Sequence, residues 1–196
     1  MSILDLKYPK NRLRRTRQAK WIRNLTQENM LSTNDLVWPV FVCEGSNVKD
    51  EIESMPSVYR YSIDNLNEVY DTAGEHNINL IAIFPFTPQK LKTKSGDEAL
   101  NPNNLVCRSI EKLKSQKPSF GIMCDVALDP YTDHGHDGLL SDDGKILNDE
   151  TNGVLVKQST LLAQFGADIV APSDMMDGRI GMIRDELEKH RLKDTL

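Results

Sequence analysis

The chain has 196 residues, 27% of them charged and 39% hydrophobic, with a formal net charge of −5. This balance suits one or two soluble globular domains and excludes a collagen-like repeat or a disulfide-dense miniprotein. The longest uncharged apolar runs, 36–42 and 80–86, fall well short of the roughly 18–20 residues of a membrane span. The basic start has no apolar run behind it, so no signal peptide is expected. Three cysteines without a CxxC pair, Cys43, Cys107 and Cys124, favour reduced thiols and a cytoplasmic setting.

Charge is unevenly spread. Residues 1–23 hold eight basic side chains and one acid, a balance of +7, which leaves −12 on the remainder. Such a head can be a solvated tail, an arm lying on an acidic neighbouring subunit, or a nucleic-acid binder. It carries Tyr8, Leu13 and Trp21 but no DNA-binding motif, so no nucleic-acid partner is expected.

Thr26 and Glu28 then introduce a short turn or helix, and Ser32, Thr33, Asn34 and Asp35 form a polar break. The apolar run 36–42 reads as a buried strand. Residues 44–62 are irregular, with a hairpin around Pro56. Ser62 and Asp64 signal a helix start before Leu66, Val69, Tyr70 and Ala73 at helical spacing. A strand at 80–84 ends at Pro85, and 87–103 is a polar loop. A helix at 103–115 presents Leu105, Val106, Ile110 and Leu113 on one face. A third strand covers 119–126. Residues 127–150 lack periodicity, a helix covers 152–165 and ends at Gly166, and a fourth strand covers 168–171. The turn 172–178 leads into a helix at 178–190.

Four strand–helix units after an arm argue for a parallel sheet with helices packed outside. A small doubly wound sheet and part of an eight-stranded barrel both fit; the absence of a GxGxxG or GxxxxGK[ST] loop weakens the nucleotide-binding version. In either fold the working residues gather at the C-terminal ends of strands, which points to 85–93, 125–137 and 173–179.

The segment 125–138, DVALDPYTDHGHDG, concentrates four aspartates and two histidines. Carboxylates and imidazoles at a strand end can hold a divalent cation or move protons; the alternative is a solvated turn-rich loop. With oxygen donors dominant and no thiol among them, Mg²⁺ is favoured over zinc. Cys124 alternates away from Asp125 and reads as a packing residue. Ser173 and Asp174 can hold a polar substrate, while Asp174 or Asp177 can equally cap the next helix. His76 and His190 fall near helix ends, where a structural role is expected. Met175 and Met176 read as core or gap-filling residues.

The strings MCDVALDPYTDHGHDGLL and LNDETNGVLVKQSTLLAQFGADIVAPSDMMDGRIGMIR resemble porphobilinogen synthase, also called delta-aminolevulinic acid dehydratase. LRRTRQAKWIRNLTQENMLSTNDLVWPVFVCEG, SMPSVYRYSIDNL and GDEALNPNNLVCRSI resemble it too, so the likeness covers essentially the whole chain. The resemblance implies a (βα)₈ TIM barrel, of which this chain holds an N-terminal arm (1–35) and about the first four βα units (36–196). It implies a lyase of tetrapyrrole and haem biosynthesis that condenses two 5-aminolevulinate molecules into porphobilinogen with loss of two waters. It also implies a homo-oligomer, usually an octamer, assembled through the arm.

Zinc-dependent members hold their catalytic metal with three cysteines, at positions occupied here by Ala127, Asp129 and Asp137. The chain thus resembles the aspartate-type members, commonly stimulated by Mg²⁺, and catalytic zinc is not expected. Asp125, Ser173 and Asp174 match polar active-site positions, and Asp129 and Asp137 would lie beside the second substrate, positioning its amine or a cation. The family's two Schiff-base lysines, the arginines that grip the first substrate's carboxylate, and a mobile lid over the active site belong to later strands. Lys157, Lys189 and Lys193 fall in or near predicted helices and Lys145 in a loop. A full barrel takes about 250 residues, so the chain is expected to be an N-terminal half that is inactive alone. The alternative is a non-catalytic assembly fragment that docks on a full-length subunit or a second half-barrel.

Overall fold

The computed structural model describes residues 7–196. The chain divides into two units, Met1–Asp35 and Leu36–Leu196. In the first, a 3₁₀ turn at Leu13–Arg17 precedes α1 (Lys20–Leu25), and neither buries a residue. Of the turn or helix expected at Thr26, the structure has a turn, which ends α1. Thr26 sends both its N–H and its hydroxyl back to the Ile22 carbonyl, at 3.0 and 2.8 Å, which closes the last turn. Asp35 accepts from both the backbone N–H and the hydroxyl of Ser32, which holds its carboxyl below the ordinary range.

The second unit is a six-stranded sheet with helices on one side. Its elements are β1 (Trp38–Cys43), β2 (Lys49–Glu51), β3 (Tyr59–Ser62), α2 (Leu66–Glu75), β4 (Leu80–Pro85), α3 (Leu105–Ser115), β5 (Gly121–Val126), α4 (Asn148–Phe165), β6 (Ile169–Pro172) and α5 (Arg179–Lys189). The order across the sheet is β2-β3-β1-β4-β5-β6, all parallel except the β2–β3 hairpin. The hairpin spans the expected turn around Pro56 and is closed by Ile52 N–H donating to Val58 O at 2.8 Å. On the far side of β6, Leu196 N–H donates to Asp168 O and Val170 N–H to Leu196 O, both at 2.9 Å, a parallel pairing in which Leu196 opposes Ile169.

Strand alternation sorts the two faces of the sheet. Val40, Val42, Ile81, Ile83, Ile122, Cys124, Val126 and Val170 are buried within the core. Leu66, Val69 and Ala73 of α2, Ile110 and Leu113 of α3, Leu155 and Leu162 of α4, and Ile183 and Leu187 of α5 join the same core. Those of α2 and α3 are positions that the helical spacing marked, and burying such residues is what drives the helices onto the strands. Helix ends are also built locally. Asn104 caps α3 through Cys107 N–H at 2.8 Å, and Gly166 closes α4 at φ +108°. His76 and His190 are the C-terminal caps of α2 and α5.

The opposite face carries Phe41, Phe84, Met123, Asp125 and Ala171, all half-buried. Register aligns Phe41 with Phe84 and Asp125 with Ala171, one step beyond the Ile83–Cys124 pair. These side chains therefore form one layer across four parallel strands.

Candidate active site

That layer floors a cavity of about 680 Å³ at the C-terminal ends of the strands. Phe41, Phe84, Pro85, Pro130, Ala171 and Pro172 supply apolar wall; Asp125, Asp129, Ser173 and Lys92 supply the polar groups. A second cavity, about 420 Å³, shares Asp129 and Ser173 and adds Gly135, His136, Asp137 and Met175. Four of the five carboxylates and hydroxyls expected to work thus line two adjoining spaces.

The loop after β5 is anchored, not solvated throughout. Leu128, Tyr131 and Thr132 are buried, and the Leu128 carbonyl accepts from both Tyr131 N–H (2.8 Å) and Thr132 N–H (2.9 Å). Thr132 Oγ1 donates to His136 O at 2.8 Å. The loop after β4 is stitched to it by a parallel bridge, Thr93 to Thr132, with Thr93 N–H on Tyr131 O and Asp133 N–H on Thr93 O, both 3.1 Å. A Cβ on Gly138 would sit 2.9 Å from Met176 Cε and 3.1 Å from Ile146 Cγ2. Glycine is what lets the loop close over Met176 here.

Asp125 is raised above the ordinary carboxylate range, chiefly by burial; its hydrogen bond with Ser173 opposes the shift, while Asp129 and Asp174 add to it. Asp129 is also raised, first by desolvation and then by repulsion from Asp137, with Lys92 pulling the other way. The site therefore holds a carboxyl that keeps its proton longer than usual beside a hydroxyl and a second carboxyl, a pairing suited to proton transfer and to holding an ammonium.

Asp137 Oδ1 lies 2.9 Å from His136 Nδ1, and that same nitrogen accepts from Gly138 N–H at 2.8 Å. Ala127 is buried, and its carbonyl accepts from Gln158 Nε2 at 3.3 Å. Among the described residues no three His, Cys, Asp or Glu side chains converge as a metal cage. All three cysteines are buried, and none lines either cavity. The donor set at Ala127, Asp129 and Asp137 is two carboxylates and a methyl, which cannot reproduce a three-thiolate zinc site.

Asp174 stands close enough to this site to add to the Asp125 shift, but it is enclosed. It lines neither cavity. Its fully enclosed carboxylate accepts from Met176 N–H at 2.7 Å and lies 2.9 Å from Arg179 Nε, an ion pair without good hydrogen-bond alignment. Arg179 Nη1 also donates to Met176 O at 2.6 Å. Neither aspartate caps α5, whose cap is Gly178 without a side-chain bond. Asp177 is held by α4 instead: its N–H donates to Asn148 Oδ1 at 2.8 Å and its carbonyl accepts from Asn152 Nδ2 at 2.7 Å. Met176 is in the core as expected, but Met175 is 73% exposed at the rim of the second cavity. The two are neighbours in the irregular segment between β6 and α5, and each meets different surroundings.

The lysine of the first cavity was missed. Lys92 lies in a segment marked for function by its place after β4, but a lone lysine in a polar loop carries no pattern of its own. Lys157 and Lys189 are on helices, and Lys145 is in an exposed loop. No helix among the described residues is long and apolar enough to cross a membrane.

Comparison with known proteins places this geometry. The family model described as delta-aminolevulinic acid dehydratase matches residues 10–196. Proteins of that name from Bradyrhizobium diazoefficiens and Chlamydia pneumoniae are 50% and 45% identical over 94% and 91% of this chain, and 52% and 53% of their own length. A crystal structure of the delta-aminolevulinic acid dehydratase (porphobilinogen synthase) of Toxoplasma gondii, in complex with the reaction product porphobilinogen, superposes with a TM-score of 0.88 at 40% identity. It is matched over 93% of this chain and 52% of its own. The chain spans about half the length of the curated relatives it matches. Its parallel sheet with outer helices is accordingly part of the TIM-barrel fold of that structure, and the chain belongs to the delta-aminolevulinic acid dehydratase family.

Proposed function

We propose that this chain supplies the N-terminal half of a porphobilinogen synthase active site, which condenses two 5-aminolevulinate molecules with loss of two waters. The observation that carries the reading is the convergence of Asp125, Asp129 and Ser173 on one cavity at the strand ends of a family member. Asp125 holds and releases a proton near the reacting carbons, tuned by burial and by Ser173. Asp129, at the junction of the two cavities, and Asp137, in the second, receive a substrate ammonium. Asp174 is a positioning residue that fixes the turn from which Ser173 projects, through Met176 N–H and Arg179.

Mg²⁺ is the ion that Asp129 and Asp137 would take if the site holds one, with water completing its shell. Such an ion would supply charge neutralisation between two carboxylates that repel each other. The arm, 1–35, is proposed to mediate homo-oligomer assembly, with a cytoplasmic location for the enzyme.

The family's carbonyl chemistry runs through lysine Schiff bases, because an iminium accepts electrons as carbon–carbon bonds form. The resemblance assigns both lysines to later strands, so the 196-residue chain is expected to form no pyrrole from 5-aminolevulinate. Borohydride added to that mixture should leave every lysine unlabelled. Pyrrole formation by this chain alone would overturn the assignment of roles. The alternative reading, a non-catalytic fragment that assembles with a full-length subunit or second half, predicts the same inactivity but a concentration-dependent sedimentation coefficient.

A further inference from the structure

Helix α4 buries a different kind of face from its neighbours. The buried residues of α2 and α5 are all apolar, and the buried hydroxyl of Ser109 in α3 bonds back to Leu105 O of its own helix. In α4, five of the eight buried residues are polar: Thr151, Asn152, Gln158, Ser159 and Thr160. Asn152 and Gln158 are 2% and 1% exposed, yet their side-chain oxygens find no hydrogen-bond partner among the described residues. Burying an amide with one end unpaired is destabilising, and an apolar side chain would pack there without that loss. The amides are therefore explained by their other ends.

Those ends reach out of the helix to the backbone of both site loops. Gln158 Nε2 donates to Ala127 O at 3.3 Å, two residues before Asp129. Thr151 Oγ1 accepts from Leu139 N–H at 2.9 Å, two residues after Asp137. The segment that carries both aspartates is thus fastened to α4 at each end. Asn152 Nδ2 donates to Asp177 O at 2.7 Å, and Asn148 Oδ1 accepts from Asp177 N–H at 2.8 Å, four residues after Ser173. Their spacing puts all four side chains on one face of the helix. We propose that Asn148, Thr151, Asn152 and Gln158 are positioning residues, and that α4 is the common frame that fixes Asp129 and Asp137 relative to Ser173. They act through the loop backbone. This role rests on the porphobilinogen synthase reading for the ligand's identity alone.

Amide hydrogen exchange on the 196-residue chain is the test. A contact that only stabilises the fold leaves the local opening of a loop unchanged, whereas a contact that holds the loop does not. The loop after β5 reports through Tyr131 and Thr132 N–H, both bonded to Leu128 O, and the turn after β6 through Met176 and Asp177 N–H. Gln158→Met and Thr151→Val should speed exchange at Tyr131 and Thr132 about tenfold, the scale of one lost hydrogen bond, and leave Met176 and Asp177 within about twofold. Asn152→Leu should give the reverse pattern, and Thr151→Ser, which keeps the hydroxyl, should behave as the unaltered chain. In an NMR titration, Gln158→Met, Thr151→Val and Asn152→Leu should weaken 5-aminolevulinate by about fivefold, the scale of reordering one loop contact. Unchanged exchange at the loops, or equal acceleration of both loops by every variant, overturns the frame. Where Gln158→Met or Asn152→Leu does not fold, the Thr151→Val and Thr151→Ser pair decides by the same pattern. Unfolding of Gln158→Met, Asn152→Leu and Thr151→Val alike also overturns it, because loop anchors leave the core standing. Failure of the unaltered chain to bind 5-aminolevulinate overturns the substrate reading, and the exchange pattern then still decides the role of α4.

Discussion

The two faces of one sheet behave differently although the same strands build both. On β5, Ile122, Cys124 and Val126 are buried in the core, while Met123 and Asp125 alternate with them on the cavity side. The core side is apolar, close-packed and interchangeable in chemistry: its residues matter by volume. The cavity side is sparse, mixed in polarity and specific in chemistry: Asp125, Asp129, Ser173 and Lys92 matter by charge and donor type. A barrel strand must satisfy both demands at a period of two, so stability and chemistry are separated by one residue along the chain.

The contrast is broken most sharply by truncating adjacent residues. Ile122→Ala should cost about 4 kcal/mol, from lost transfer energy plus a cavity that the packed helices cannot collapse into, whereas Met123→Ala should cost under about 1 kcal/mol. Urea unfolding of both variants measures the difference; equal costs would mean the two faces are not energetically distinct.

The turn beneath the site is the next test. Arg179→Met leaves the Asp174 carboxylate enclosed without its partner, at an expected cost of about 3 kcal/mol. Asp174→Asn in addition should recover part of it, since the orphaned charge is then gone. A double variant no more stable than Arg179→Met would show that the guanidinium acts through its bond to the Met176 carbonyl.

A smaller effect separates Asp125 from its core neighbours. A carboxyl whose folded-state pKa is raised binds its proton more tightly when folded. Its stabilising contribution is present below the unfolded pKa, about 3.9, and is lost as pH rises through the raised folded value. Asp125→Asn should therefore gain stability relative to the unaltered chain as pH climbs from about 4 to 7. The readout is the difference in urea midpoints at each pH, which cancels the opposite trend from carboxylates held low, such as Asp64 and Asp143. A flat difference would remove burial as the cause.

The smallest effect concerns the thiols. Burial pushes Cys107 up to about 12 and Cys124 higher still, while Cys43 is raised less and stands at a strand end. A thiol reagent should label Cys43 first and reach the other two only on unfolding. Labelling of Cys124 at the Cys43 rate would mean that β5 is open to solvent.

Much of this was legible along the chain. Apolar runs at 36–42, 80–84 and 119–126 marked parallel strands, and the spacing of Leu66, Val69 and Ala73 or of Ile110 and Leu113 marked the helices packed on them. The rule that strand ends carry chemistry selected the three segments that line the cavities, and alternation separated Cys124 from Asp125. Long motif strings identified the family. Local reading failed where a residue's role depends on what it meets in space. Thr26 left a turn and a helix start both open, and only the structure shows that its turn ends a helix. Met175 and Met176 look alike and part company at a turn. Asp174 has the look of a substrate ligand and is enclosed with Arg179, five residues along the chain.

Composition and periodicity by themselves determined the alternation of strands and helices, the uneven charge and the segments available for chemistry, because these depend on burial patterns of near neighbours. The tertiary structure alone decided that Asp125, Asp129 and Ser173 share a cavity with Lys92. Parallel register brings together strand ends more than forty residues apart in the chain, and the Thr93–Thr132 bridge joins the loops after two of those strands. Whether a charged side chain is enclosed with a neighbour or lines a cavity is a property of that assembly, which is why Asp174 is enclosed with Arg179 while Lys92 lines the first cavity.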